Sequence, residues 1–163
     1  LNKNSDVFWM AAQKITREDV DYNPCSYEIR LDNDMNGLCE SLPKSPLSSW
    51  LNASIIKAYP GEVELEFVVS PKLTNPAGVL HGGIQCAIMD EVVGMTGASL
   101  DLDQFLYAID LKVDYLRKAK LGQILSVKGK IIKFGKNVVN CTAEIYTRDC
   151  RLIAQARSNL IIP

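Results

Sequence analysis

The segment NPAGVLHGGIQCAIMDEVVG, residues 75–94, gathers the groups in this chain best suited to acid–base or nucleophilic chemistry. It holds the single histidine, His81, followed by Gly82 and Gly83, and two carboxylates, Asp90 and Glu91, in an otherwise apolar run. Residues 81–100 have helical length and no proline, so the spacing predicts a helix that begins at the glycines. A helix N-terminus presents backbone N–H groups without intrahelical partners, together with a partial positive charge. Glycines at that place let another molecule approach closely. Such a turn can bind phosphate, or hold a carbonyl oxygen on which negative charge develops. It lacks the GxGxxG of dinucleotide sites and the Gly-Lys-Ser/Thr of a P-loop. Asp90 needs an account, because a carboxylate in an apolar helix is costly unless it has partners or a task. It lies about 12 Å from Gly82 along the helix axis, at 1.5 Å per residue. One helix cannot bring the two to the same substrate, whereas a second copy packed in the opposite sense can. Cooperation between them therefore requires a symmetric dimer with two sites. Glu91 is rotated about 100° from Asp90 and reads as structural.

The elements around this helix are β-strands. Residues 51–59 read as a strand and Pro60-Gly61 as a turn. EVELEFVV then alternates strictly, with Val63, Leu65, Phe67 and Val69 on one face and Glu62, Glu64 and Glu66 on the other, as a half-buried antiparallel strand does. After the helix come strand-like runs at 105–116, 124–133, 138–147 and 152–161. The short separators predict antiparallel neighbours. The pattern predicts an α+β fold: one long central helix wrapped by an antiparallel sheet of five to six strands. Residues 1–46 differ in character. Asp6 to Glu18 reads as a short helix, and the Asn/Asp/Pro-dotted stretch after it as irregular structure, so the chain divides into an N-terminal extension, 1–46, and a main domain, 47–163.

Composition excludes several classes. With 163 residues, 47% hydrophobic content and a net charge of -1, the chain is neither a disordered tail nor a globally basic nucleic-acid binder. No apolar run approaches the ~20 residues of a membrane-spanning helix, so neither nucleic acid nor membrane is an expected partner. Cys25, Cys39, Cys86, Cys141 and Cys150 are scattered, with no CxxC. With one histidine, no zinc-type ligand spacing can be written, and no metal is expected. Free thiols point to a reducing, cytoplasmic location. No secretory leader pattern follows Leu1, and an organelle reached after removal of a presequence is the alternative.

The pattern N-P-A-G-V-L-H-G-G-x6-D closely resembles the signature of hotdog-fold acyl-CoA thioesterases, in their PaaI-like branch. YAIDLKVDYLRKAKLGQ, IIKFGKN and RLIAQARSNL resemble the later strands of that family, so the resemblance covers about residues 47–162. It implies a hydrolase that converts acyl-CoA to free acid and coenzyme A, with no cofactor beyond the coenzyme A thioester substrate. It implies a homodimer or homotetramer with its sites at the subunit interface. The Gly82 N–H would polarise the thioester carbonyl, with Asn75 close by and Gly83 against the substrate. His81 would orient the loop through a hydrogen bond to Asn75. Asp90 of a partner subunit would act as general base or nucleophile. The family's serine or threonine 18 residues after the acid is Ala108 here. Two other functions are open on the same fold: a non-catalytic acyl-CoA sensor, which Ala108 favours, and a hydratase or dehydratase.

Eight basic residues lie between Lys112 and Lys136, opposed only by Asp114. Arg117, Lys118, Lys133 and Lys136 fall near predicted strand ends, where they could hold the phosphates of coenzyme A. Aromatic residues for base stacking are not interleaved with them, which argues against an RNA strip. Cys86, Met89, Val93 and Met95 are candidates for an apolar acyl-tail site.

Overall fold

The computed structural model describes Leu42 and residues 45–163. The expected extension, with its helix at Asp6 to Glu18 and with Cys25 and Cys39, lies outside the described residues but for Leu42, Ser45 and Pro46. A short helix, α1 (Pro46–Leu51), comes first. Ser45 caps it by accepting the Ser48 N–H at 3.1 Å, and Pro46 sits at its start, where no N–H is needed. Asn52, at φ 56°, ends it. The expected strand at 51–59 therefore begins later, as β1 (Ser54–Tyr59). The Ser-Pro start signal outweighs the apolar run that suggested an extended chain.

The remaining elements are β2 (Glu62–Val68), α2 (Gly82–Ala98), β3 (Tyr107–Tyr115), β4 (Ile124–Phe134), β5 (Val138–Thr147) and β6 (Leu152–Ile161). The strands form one antiparallel sheet in the order β1-β2-β4-β5-β6-β3. One expected adjacency fails. β3 and β4 are joined by a short segment yet do not pair. β4 pairs with β2, whose alternation it complements: Leu65 faces Val127 and Phe67 faces Leu125 on the inner side, while Glu62 faces Lys130 and Glu64 faces Lys128 on the outer side. β3 is left at the far edge, against β6. The segment between β3 and β4 is held by the loop that precedes α2. The Leu80 N–H donates to the Ala119 carbonyl at 2.8 Å, and Val79 bridges to Lys120.

α2 packs on the inner face of the sheet. Ile88, Met89, Val92 and Val93 are fully buried with Val63, Leu65, Phe67, Val127 and Ile145. Each such side chain stabilises the fold by about 1.5–3 kcal/mol. The helix comes so close to β4 that a Cβ on Gly129 would lie 2.2 Å from Thr96 Oγ1 and 3.0 Å from the Val92 carbonyl oxygen. Only glycine fits there. A helix expected to be apolar almost all round in fact has one open side, carrying Gly83, Asp90, Gly94 and Ala98.

Candidate active site

The first turn of α2 is assembled by side chains from three places. His81 is the N-cap, in an extended conformation, and its Nδ1 accepts the Gly83 N–H at 2.9 Å. An accepting Nδ1 carries no proton, so the neutral ring holds its hydrogen on Nε2. The expected hydrogen bond from His81 to Asn75 is not made. Asn75 folds back on its own loop instead, and its Oδ1 accepts from the N–H groups of Ala77 at 3.0 Å and Val79 at 3.3 Å. That is an Asx-type turn, which shapes 75–79 ahead of the helix. The His81 N–H donates to the Leu73 carbonyl at 2.9 Å, which anchors the loop from below.

The two glycines therefore differ. The Gly83 N–H is occupied by the imidazole, whose ring would lie 3.1 Å from a Cβ at that position. The Gly82 N–H has no acceptor among the described residues, and it is the group of the pair free to receive a carbonyl oxygen. A Cβ on Gly82 would lie 3.4 Å from the Tyr115 ring. Tyr115, at the end of β3, is a residue that the sequence reading missed. Its hydroxyl donates to the Gly82 carbonyl at 3.2 Å and lies 2.9 Å from Cys86 Sγ. No local sequence signal marks it, because it meets the turn only through the sheet register.

Gly82, Cys86 and Asp90 are spaced by four and so form one row along the helix. Asp90 is on the open side and reaches solvent. Protein packed to one side of it removes part of its hydration, and the neighbouring Glu91 charge adds a second push, so its carboxyl is held above the ordinary carboxylate value. Glu91 itself is structural, as expected. Its Oε1 accepts from Ser45 Oγ and Ser48 Oγ at 2.6 Å each, which ties α1 to α2. Asp110 cross-links strands: its carboxylate takes the Asn159 N–H at 2.8 Å and Asn159 Nδ2 at 2.6 Å.

The other candidates divide. Met89, Val93 and Met95 belong to the core, at no more than 4% exposure, and only Cys86 of the expected tail-site residues lies on the open row. Burial pushes the Cys141 thiol up to about 12, which suits a packing residue and not a nucleophile. The basic residues do not form one cluster. Lys128 lies 3.8 Å from Glu64 and over the Tyr146 ring. Arg117 and Lys118 follow β3 at the end of the sheet that holds the glycine turn, with Arg117 Nη1 donating to the Leu152 carbonyl at 2.7 Å. Lys133 and Lys136 flank the β4–β5 turn at the other end, beside the start of β3: the Ile162 N–H donates to the Asn137 carbonyl and Ile161 faces Tyr107. Ala108 faces Leu160 on the inner side of the sheet and supplies no hydroxyl.

Residues 77–154 match the Thioesterase superfamily. Acyl-coenzyme A thioesterase 13 of Homo sapiens is 28% identical over 105 residues, which cover 64% of this chain and 75% of that protein. A hypothetical thioesterase protein from Streptococcus pneumoniae TIGR4, solved with coenzyme A, is 25% identical, with a TM-score of 0.66 over 69% of this chain and 86% of its own. The E. coli PaaI protein from the phenylacetic acid degradation operon shares the fold, with a TM-score of 0.69 at 19% identity over 74% of this chain and 86% of its own. The matched segment, just under half of the chain, carries the glycine turn, the whole of α2, β3, β4 and β5, and the sheet wraps that helix as in these relatives: the chain has the hotdog fold and over that segment is similar to the thioesterase superfamily.

Proposed function

We propose that the protein hydrolyses acyl-CoA thioesters at a site shared between two subunits. The observation that carries this reading is the pair formed by the unpartnered Gly82 N–H at the start of α2 and the Asp90 carboxylate two turns further along the same open row. The thioester carbonyl oxygen would accept from the Gly82 N–H. Asp90 of the partner subunit would take a proton from water as the water oxygen bonds to the carbonyl carbon. Negative charge then develops on the carbonyl oxygen, against the positive end of the helix dipole. As the oxygen reforms its double bond, the C–S bond breaks and the coenzyme A sulfur recovers a proton, giving free acid and coenzyme A.

The edge strand supports assembly. Among the described residues β3 has one unpaired side, and it exposes Tyr107, Ile109 and Tyr115, each more than half open to solvent. A long apolar edge of this kind invites pairing with another strand. Antiparallel pairing of two β3 strands sets the start of one beside the end of the other. It would thereby bring Lys133 and Lys136 of one subunit to the same side as Arg117 and Lys118 of its partner. That arrangement reunites the basic residues around one nucleotide, which a single chain keeps apart. Coenzyme A bound to the Streptococcus pneumoniae relative supports this choice of ligand.

Thiol release from a panel of acyl-CoAs, combined with light scattering, tests the reading. Turnover by a dimer or tetramer is expected. A fully active monomer would refute the shared site. A protein that binds acyl-CoA and releases no thiol from any of the panel would be a sensor, the reading that Ala108 favours.

A further inference from the structure

We propose that Tyr115 is a positioning residue for the thioester carbonyl, acting through the backbone of Gly82; this rests on the reading of the Gly82 N–H as the carbonyl donor. Two adjacent glycines at a helix start have no side chains to restrict them, and the first turn of a helix is where fraying begins. Two external restraints hold this turn. His81 takes the Gly83 N–H. Tyr115, from the edge strand, donates its hydroxyl hydrogen to the Gly82 carbonyl at 3.2 Å.

The hydroxyl also lies 2.9 Å from Cys86 Sγ, a contact in which either atom can donate; with the phenol's one hydrogen on the Gly82 carbonyl, the thiol is the donor there. The ring meanwhile lies against the Gly82 Cα, where a Cβ would be 3.4 Å from the phenol carbon and oxygen. Gly82 is thus bonded at its carbonyl and covered on one side, while its N–H is left open. A fixed Gly82 fixes the direction of that N–H, and a preorganised donor helps most where charge develops in the transition state. Tyr115 also ends β3, the strand with the unpaired edge, so strand pairing and donor geometry would meet in one residue.

The test is Y115F, which keeps the ring and removes the hydroxyl, with Y59F on β1, at the opposite edge of the sheet, as control. Saturation kinetics on an acyl-CoA should show kcat reduced about 2- to 10-fold in Y115F, the worth of one neutral hydrogen bond, with KM within about twofold of the parent. Y59F should match the parent. Amide hydrogen exchange of the peptide covering 80–86 should be faster in Y115F only. Unchanged kcat with unchanged exchange would overturn the proposal. A rise in KM with kcat unchanged would overturn it too, making Tyr115 a binding residue. If the parent releases no thiol from any acyl-CoA, the hydrolase reading fails by itself. The exchange comparison then still decides whether the hydroxyl holds the turn.

Discussion

Replacing Asp90 by Asn keeps the side-chain shape and removes both the charge and the base. The Gly82 N–H, His81 and Tyr115 stay in place, so the variant should still bind acyl-CoA and polarise its carbonyl. What it loses is proton abstraction from water, worth about 10² to 10⁴ in kcat for a positioned general base. The structure adds two signatures. Burial and the Glu91 charge raise the proton affinity of Asp90. The acid limb of the parent's kcat should therefore lie above the ordinary carboxylate range, and it should vanish in D90N. The same shift carries a stability sign. A carboxyl whose folded-state pKa is raised contributes stability that is fully present below its unfolded value and is lost as pH rises through the folded value. Asn avoids that loss, so D90N should melt at a higher temperature than the parent at neutral pH. Thiol-release kinetics from pH 4 to 8, thermal melts and light scattering read all three effects. Near-native turnover in D90N would refute the assignment of the base. Loss of kcat accompanied by dissociation and a lower melting temperature would make Asp90 an interface residue instead.

Three further outcomes are expected. E91Q removes the charge beside Asp90, so the acid limb of kcat should move to lower pH while the rate at neutral pH falls far less than in D90N; an unmoved limb in a pH–rate profile would remove Glu91 from the electrostatics of the site. G129A puts a Cβ within 2.2 Å of Thr96 Oγ1, and overpacking of a close helix–sheet contact costs about 1–3 kcal/mol, which chemical denaturation should show as a lower midpoint. R117A and K136A should raise KM for acyl-CoA with a smaller effect on kcat, as expected when uniform binding is lost; an unchanged KM in both would place the nucleotide elsewhere.

Much of the fold was legible from residue order. The alternation of EVELEFVV set the buried face of β2, and the bounds of β5 and β6 match the expected 138–147 and 152–161. The His-Gly-Gly start marked the N-terminus of α2, and the 100° rotation of Glu91 separated it correctly from Asp90. These features depend on neighbours a few residues apart, where helix and strand periodicity dictate which side chains share a face. The tertiary structure decided what touches across longer separations. Chain order pointed to β3 beside β4, whereas complementary faces placed β4 against β2 and sent β3 to the edge. Only that placement brings Tyr115 to Gly82 and Cys86, and only the packing of α1 gives Glu91 its two serine hydroxyls. Within the turn, the expected partner of His81 was Asn75, and the observed one is the Gly83 N–H. The geometry chose the N–H, because a helix start leaves that donor unsatisfied while Asn75 is already taken up by its own loop.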